Sequence, residues 1–452
     1  MYSSHGSLIA IAVWVKQQAI WAGVEAKVTI PQKTVIYRPT DKLRAVFAAI
    51  LAGAHGLVEV NTRLRADKGL CVAFDLPNWP DQSTLSETLS ACTTETVTAM
   101  RMCLRTIYQQ HGRAMRHRPE DGLLILDVDL TGLPCGVQAE EATKGYFSEE
   151  PGRRGRQLGR VIAPAYAEVV TEALYAGKKQ LTQAFEPLVE AAEQTLHLDQ
   201  DESRRHDVLL RVDAGAGTEE QIDWALGRGY HVLTKLKSHQ RTQKLVRSVV
   251  TWYSDPKVPR RSVGHVEQPH AFVRPTMQIA IRSTREHKGK LVTTTRVLVT
   301  DLSEHQVMTI ASQPCSGSPT REQVALAVAH AYDQRGGGAE TENRQDKQGL
   351  GLTKRNKKSF AAQEMLVMLA ELAHNVLIWV RQDLLQEEPC CQQFGIQRLV
   401  RDLLQIPGQL SRIPFSRRYR LTLSRDHPLS KPLLRPLQVL AGSKLVVNLG
   451  EI

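Results

Sequence analysis

Residues 331–350 read AYDQRGGGAETENRQDKQGL, and their chemistry sets what the rest of the chain must supply. Tyr332, Arg335, Glu340 and Lys347 share this one short segment. The mixture suits phosphodiester chemistry: a carboxylate can hold a divalent metal, and cations can grip phosphate oxygens. One carboxylate is not enough. Two-metal phosphoryl transfer places its ions about 3.5–4 Å apart, so it needs acids converging from several strands or helices. Partner aspartates are therefore expected upstream, each following an apolar strand, and Asp129 and Asp213 meet that description.

The first lies in GLLILDVDLTG, residues 122–132, an apolar run that predicts a buried strand carrying Asp127 or Asp129 to its C-terminal end. Side chains two apart share a strand face, so both are candidates. The second follows VLLRVDAGAG, residues 208–217, where Gly215 and Gly217 permit close approach beside Asp213. A helix over 219–229 and the strand YHVLTKLK, 230–237, complete an α/β unit with a right-handed crossover. Between 238 and 319 the strands MQIAIRSTR and KLVTTTRVLVTDL predict a β-rich insertion, since the helix bringing Glu340 starts only near Thr320. The insertion's sole tryptophan, Trp252, is followed by Tyr253 and the cations Arg260 and Arg261. Such an aromatic either stacks a flipped base or packs in a core.

Residues 1–118 read as helical, with Asp41 to Gly53 the clearest helix. The stretch 76–112 predicts a helix pair with Ser83-Thr84-Leu85-Ser86 as a cap, either a helix-turn-helix or part of an ordinary bundle. KGYFSEEPGRRGRQLGR, residues 144–160, reads as a glycine-rich loop whose Lys144, Arg153, Arg154, Arg156 and Arg160 are solvated or touch phosphate. A long helix is expected from Tyr166 to His197, broken near Gly177. Met365, Leu369, Leu372, Val376 and Trp379 form a core-facing stripe, beside which His374 reads as structural.

Length allows two to four domains in 452 residues. The net charge of +11 favours a polyanionic partner, and residues 351–452 hold 15 basic against 8 acidic residues, with Arg417, Arg418 and Arg420 among them. Seven cysteines without zinc-ligand spacing indicate a reduced, cytoplasmic compartment. The run Leu8 to Val15 is too short to span a bilayer, so no membrane segment is expected.

In combination, DVDLTG, GYF with GRQLGR, RVDAGAG with YHVLTKLK, and YDQRGGGAETENRQDKQGL resemble the DDE transposases of bacterial insertion sequences whose third acid lies in a Tyr-Arg-Glu-Lys signature. The resemblance covers nearly the whole chain. It implies an α/β, RNase H-like catalytic domain split by the β insertion: helical DNA-binding residues 1–118, catalytic parts 119–237 and 320–386, the insertion 238–319, and a basic tail 387–452. It also implies cut-and-paste movement of terminal inverted repeats through a hairpin, two Mg²⁺ or Mn²⁺ ions, and a homodimer on double-stranded DNA at the bacterial nucleoid. By that resemblance Asp129, Asp213 and Glu340 are the catalytic and metal-binding acids. Tyr332, Arg335 and Lys347 handle phosphate, while Arg153, Arg154, Arg156 and Trp252 contact DNA. Asp127 stays open as an alternative first acid. Four residues separate Arg335 from Glu340 where the signature has three, and the run Gly336-Gly337-Gly338 can absorb the difference. The alternative is an inactive or domesticated transposase acting as a DNA-binding repressor.

Overall fold

A computed structural model describes the chain except for residues 35, 146, 148–151, 288, 314–316, 387 and 417 and the side chain of 287. After a two-residue strand β1 (Tyr2–Ser3) the first quarter is helical: α1 (Gly6–Gln17), α2 (Ala22–Lys27), α3 (Pro39–Leu51), α4 (Lys68–Ala73), α5 (Gln82–Ser90) and α6 (Thr94–His111). α3 begins with Asp41 reaching back to the Arg38 N–H and closes at Gly53, whose φ of +74° favours a residue without Cβ. α5 is capped by Asp81, which accepts the Ser83 N–H at 2.9 Å, so the cap lies two residues earlier than Ser83.

The centre is a ten-stranded sheet of β2 (Leu124–Pro134), β3 (Thr143–Lys144), β4 (Arg154–Ala163), β5 (Glu168–Ala176), β6 (Val208–Val212), β7 (His231–Lys235), β8 (Tyr253–Ser254), β9 (Arg261–His265), β10 (Met277–His287) and β11 (Lys290–Thr300). Its order is β3-β4-β2-β6-β7-β11-β10-β9-β8, with β5 paired to β4. β2, β6 and β7 run parallel, and antiparallel strands extend the sheet on both sides. The β-rich segment after 238 is therefore hydrogen-bonded directly to the strands that carry the acids, through β11 on β7.

Two expectations are corrected here. GRQLGR is a strand, not a loop. Its arginines 156 and 160 point inward to partners, and Gly159 sits where a Cβ would lie 2.7 Å from a Leu188 methyl and 2.9 Å from the Tyr175 ring. The expected helix 166–197 is β5 followed, after the turn at Gly177, by the shorter helix α7 (Leu181–Leu196). The β-branched run Val169-Val170-Thr171 loses rotamer freedom in a helix and fits the buried sheet.

Between α7 and residue 387 follow the helices α8 (Glu219–Gly227), α9 (His239–Val246), α10 (Glu304–Ile310), α11 (Arg321–Asp333), α12 (Ala339–Gly349) and α13 (Phe360–Leu385). α13 is long and apolar enough to cross a membrane, yet 89% of its most apolar window is buried. It is a core helix, packed on β5 and on α3, α5 and α6. Its expected stripe, Met365 to Trp379, is buried throughout. The helix pair α5–α6 therefore rests on α13 as part of a bundle.

Residues 387–452 form α14 (Ile396–Arg398), β12 (Gly408–Arg412), β13 (Tyr419–Ser424), α15 (Ser430–Ala441) and β14 (Leu445–Gly450). With β1 these make a second sheet, β1-β12-β13-β14, and α1 packs against α15. The expected tail is thus a folded unit closed by the chain's first residues. Arg418 and Arg420 are exposed on it, and Arg417 lies outside the described residues.

Candidate active site

Register brings the aspartates together. β2 and β6 are parallel neighbours with Asp127 opposite Arg211 and Val128 opposite Val212. One step further, at the point where this pairing stops, stand Asp129 and Asp213. β2 itself runs on to Pro134, so Asp129 lies within the strand rather than near its end. The rung below is an ion pair: Arg211 Nε and Nη2 donate to the Asp127 carboxylate at 2.7 and 3.0 Å, and Arg211 Nη1 donates to the Ala331 carbonyl at 2.9 Å. Asp127 is fully buried, and it also accepts the Ala339 N–H at 3.4 Å. Its charge is matched inside the sheet, which leaves Asp129, with 15% of its side chain exposed, as the acid of β2 that reaches a cleft wall.

The quoted stretch then folds over these strands. Tyr332 lies in the last turn of α11, Arg335 occupies a tight turn over Gln334–Gly337, and Glu340 lies in the first turn of α12. The chain passes so close to Asp127 that a Cβ on Gly338 would lie 2.4 Å from Oδ2, which explains a glycine there; Gly336 and Gly337 face open space. Arg335, almost wholly buried, donates to Asp129 Oδ1 at 2.7 Å through Nη2 and to Glu340 Oε1 at 3.2 Å through Nη1. Burial, joined by the negative charges of Asp213 and Glu340, pushes the Asp129 carboxyl up to about 6 despite the Arg335 guanidinium. Asp213 accepts the Gly215 N–H at 2.6 Å. Asp213, Tyr332, Arg335 and Glu340 line a cleft of about 390 Å³.

Asn343, one turn beyond Glu340, joins this surface to a buried network. Its Nδ2 donates to Asp129 Oδ2 at 3.2 Å and its Oδ1 accepts from Arg160 Nη1 at 3.3 Å. Arg160 also donates to Asp346 at 2.6 Å and to Glu172 at 2.8 Å. His374 spans Asp346 Oδ1 and the Ala167 carbonyl, both at 2.8 Å. Two acceptors require two ring donors, so the imidazole is the cation. Its pKa is raised accordingly: burial opposes the charge, and Asp346 outweighs burial.

The family whose description is Transposase DDE domain group 1 matches residues 1–445. The chain belongs to the DDE transposases of group 1. No curated protein matches it. The piggyBac transposase synaptic complex with hairpin DNA overlays with a TM-score of 0.45 at 12% identity, covering 88% of this chain and 79% of that one. A likeness so slight carries no argument.

In this transposase a divalent ion finds donors of the right kind but not yet the right arrangement. Carboxylate oxygens are the hard ligands such ions take. Among the described residues, however, no three acids, histidines or cysteines form a metal cage, and the Arg335 guanidinium occupies the place between Asp129 and Glu340. An ion shared by those two acids requires Arg335 to turn away.

Other expected site residues of the transposase are placed differently. Tyr332 is buried under the Lys235 ammonium, 4.5 Å from the ring centroid, and burial raises its phenol pKa. Lys347 is half-buried two turns along α12, outside the cleft beside Glu340. Arg156 is turned inward: its guanidinium donates to the carbonyls of Glu140, Lys357 and Lys358, so it ties β4 to the 357–358 segment and is buried away from the surface that DNA would reach. Arg154 is exposed and holds the Ala142 carbonyl at 3.2 Å, while Arg153 is exposed beside it. Trp252 is half-buried, with the Arg282 guanidinium 3.9 Å over its ring. Sequence reasoning overlooked Asn343, Lys178, Lys179 and Lys237. Two of these stand in quoted stretches, and Lys178 and Lys179 fall just after the break near Gly177 in the expected helix.

Proposed function

We propose that this transposase cuts at the terminal inverted repeats of a bacterial insertion sequence and joins the freed 3′-OH ends to target DNA. The observation that carries the reading is the adjacency of Asp129 and Asp213 at the end of the β2–β6 pairing, with Glu340 tied to Asp129 by Arg335. Asp129, Asp213 and Glu340 are the catalytic acids and the residues that hold two Mg²⁺ or Mn²⁺ ions. Such ions, when bound, activate the attacking water or 3′-OH and stabilise the leaving oxygen. The protein's own contribution is placement. Asp127 and Arg211 fix the register of β2 against β6, and Asn343 holds the Asp129 carboxylate from the α12 side. Arg335, released from Asp129, neutralises charge on the scissile phosphate, with Lys347 acting from further along α12 and Tyr332 in the cleft wall.

The reading includes the finer layout: an RNase H-like core over 119–237 and 320–386, the 238–319 insertion supplying Trp252 to a base that leaves the stack during hairpin formation, and DNA-end recognition by 1–118 with the basic 387–452 unit. It places a homodimer on the two ends of the element at the nucleoid. The test is Mg²⁺-dependent nicking of a labelled duplex carrying the element's terminal repeat. Nicking at the repeat boundary supports the proposal. End binding without nicking would make the protein a repressor, and nicking without end preference would make it a general nuclease.

A further inference from the structure

A second cleft opens on the other side of Asp213. It holds about 580 Å³, and its walls include Asp129, Asp213, Lys144, Lys178, Lys179 and Lys237. These lysines come from three separate places: β3, the turn after β5, and the segment after β7. Their backbone is held firmly. The Lys178 N–H donates to Thr143 Oγ1 at 2.6 Å and the Lys237 N–H to the Gly217 carbonyl at 2.8 Å. Gly177 has no room for a side chain, since a Cβ there would lie 2.2 Å from the Gly155 carbonyl oxygen. Two of the ammonium groups touch neutral partners: the Tyr175 ring centroid lies 5.4 Å from Lys179 Nζ, and Gln180 Oε1 lies 3.5 Å from Lys237 Nζ.

Charge separates the two clefts. In the first, Lys235, Arg296 and Arg335 are balanced by Asp213, Asp333 and Glu340. In the second, four lysines face two aspartates, so it stays positive with both carboxylates ionised. A concave positive surface concentrates a polyanion, and lysine point charges contact phosphate without reading bases. We infer that the lysine cleft is the track for the phosphate backbone of one DNA strand, delivering a phosphodiester to Asp129 and Asp213 at its inner wall. The track rests on the DNA-processing reading above, and it differs from Arg153, Arg154 and Arg156, the DNA contacts expected from the sequence.

The experiment is salt-dependent binding of the full chain, without divalent metal, to labelled single-stranded oligothymidylate and to a labelled duplex carrying the element's end. Lys178→Gln with Lys237→Gln removes two phosphate contacts. The slope of log Kobs against log salt on the single strand should become shallower by about 1.4, from roughly 0.7 per contact. A control, Lys257→Gln, removes one exposed charge outside the cleft and outside the two units given DNA-end recognition, and should leave the slope unchanged. Melting temperature reports folding in both. A cleft variant that folds and keeps the wild-type slope overturns the track while leaving the transposase reading intact. Failure of the wild-type chain to bind either DNA overturns both.

Discussion

Replacing Asn343 by aspartate separates holding the fold from holding Asp129, the acid proposed as catalytic. The wild-type amide uses its two ends differently: Oδ1 accepts from Arg160 and Nδ2 donates to Asp129. Asn343→Asp keeps an acceptor for Arg160 but removes the amide donor to Asp129 Oδ2, leaving Arg335 as the partner of Oδ1. The buried Arg160–Asp346–His374 network is therefore preserved and the melting temperature should stay close to wild type. A hydrogen bond to a charged group contributes about 1.5–3 kcal/mol. If that bond aligns Asp129 for nicking, its loss slows the step by about 10- to 150-fold. New repulsion between carboxylates 3.2 Å apart across the former bond adds to the loss. The assay is single-turnover nicking of a labelled terminal-repeat duplex in saturating Mg²⁺, with thermal melting alongside. A folded variant that nicks at the wild-type rate would refute the reasoning, because Asn343 would then serve Arg160 alone.

Two further outcomes follow from the buried charges. Asp127→Asn leaves Arg211 buried against a neutral partner, and breaking such a pair costs about 3–5 kcal/mol, measurable by denaturant unfolding; an unchanged midpoint would contradict the structural role given to Asp127. His374 has a folded-state pKa above its unfolded value, so its stabilising charge is fully present below about pH 6.5 and is lost as pH rises through the raised pKa. The melting-temperature gap between wild type and His374→Gln should therefore shrink as pH climbs from 6 toward 9, whereas a constant gap would mean that His374 is neutral in the fold.

Much of the candidate site's placement was legible because two of its acids follow apolar strands, and strand pattern survives in sequence. Asp129 and Asp213 were found that way. Strand pattern by itself does not choose between Asp127 and Asp129, since side chains two apart share a face; the resemblance favours Asp129, and the cross-strand pair with Arg211 shows that Asp127 is held in the sheet. β4 was misread because arginine and glycine suggest a solvated loop; the partners of Arg160 lie on β5 and α12, far away in sequence. β5 was misread because EALYA favours a helix, and the preceding Val-Val-Thr together with pairing to β4 overrode it. The lysine cleft was invisible for a related reason: its cations come from three segments that only the sheet brings together.

The central claim is that Asp129, not Asp127, is the acid that β2 contributes to strand cleavage, alongside Asp213 and Glu340. The most direct measurement compares Mg²⁺-dependent nicking of a terminal-repeat duplex by Asp129→Asn, Asp213→Asn, Glu340→Gln and Asp127→Asn, each assayed below its own melting temperature. An amide keeps the shape of a carboxylate but not the charge that a hard divalent ion needs. The account predicts that the first three bind the DNA end and do not nick it, while Asp127→Asn, once folded, nicks detectably. A folded Asp129→Asn that nicks at the wild-type rate would contradict it.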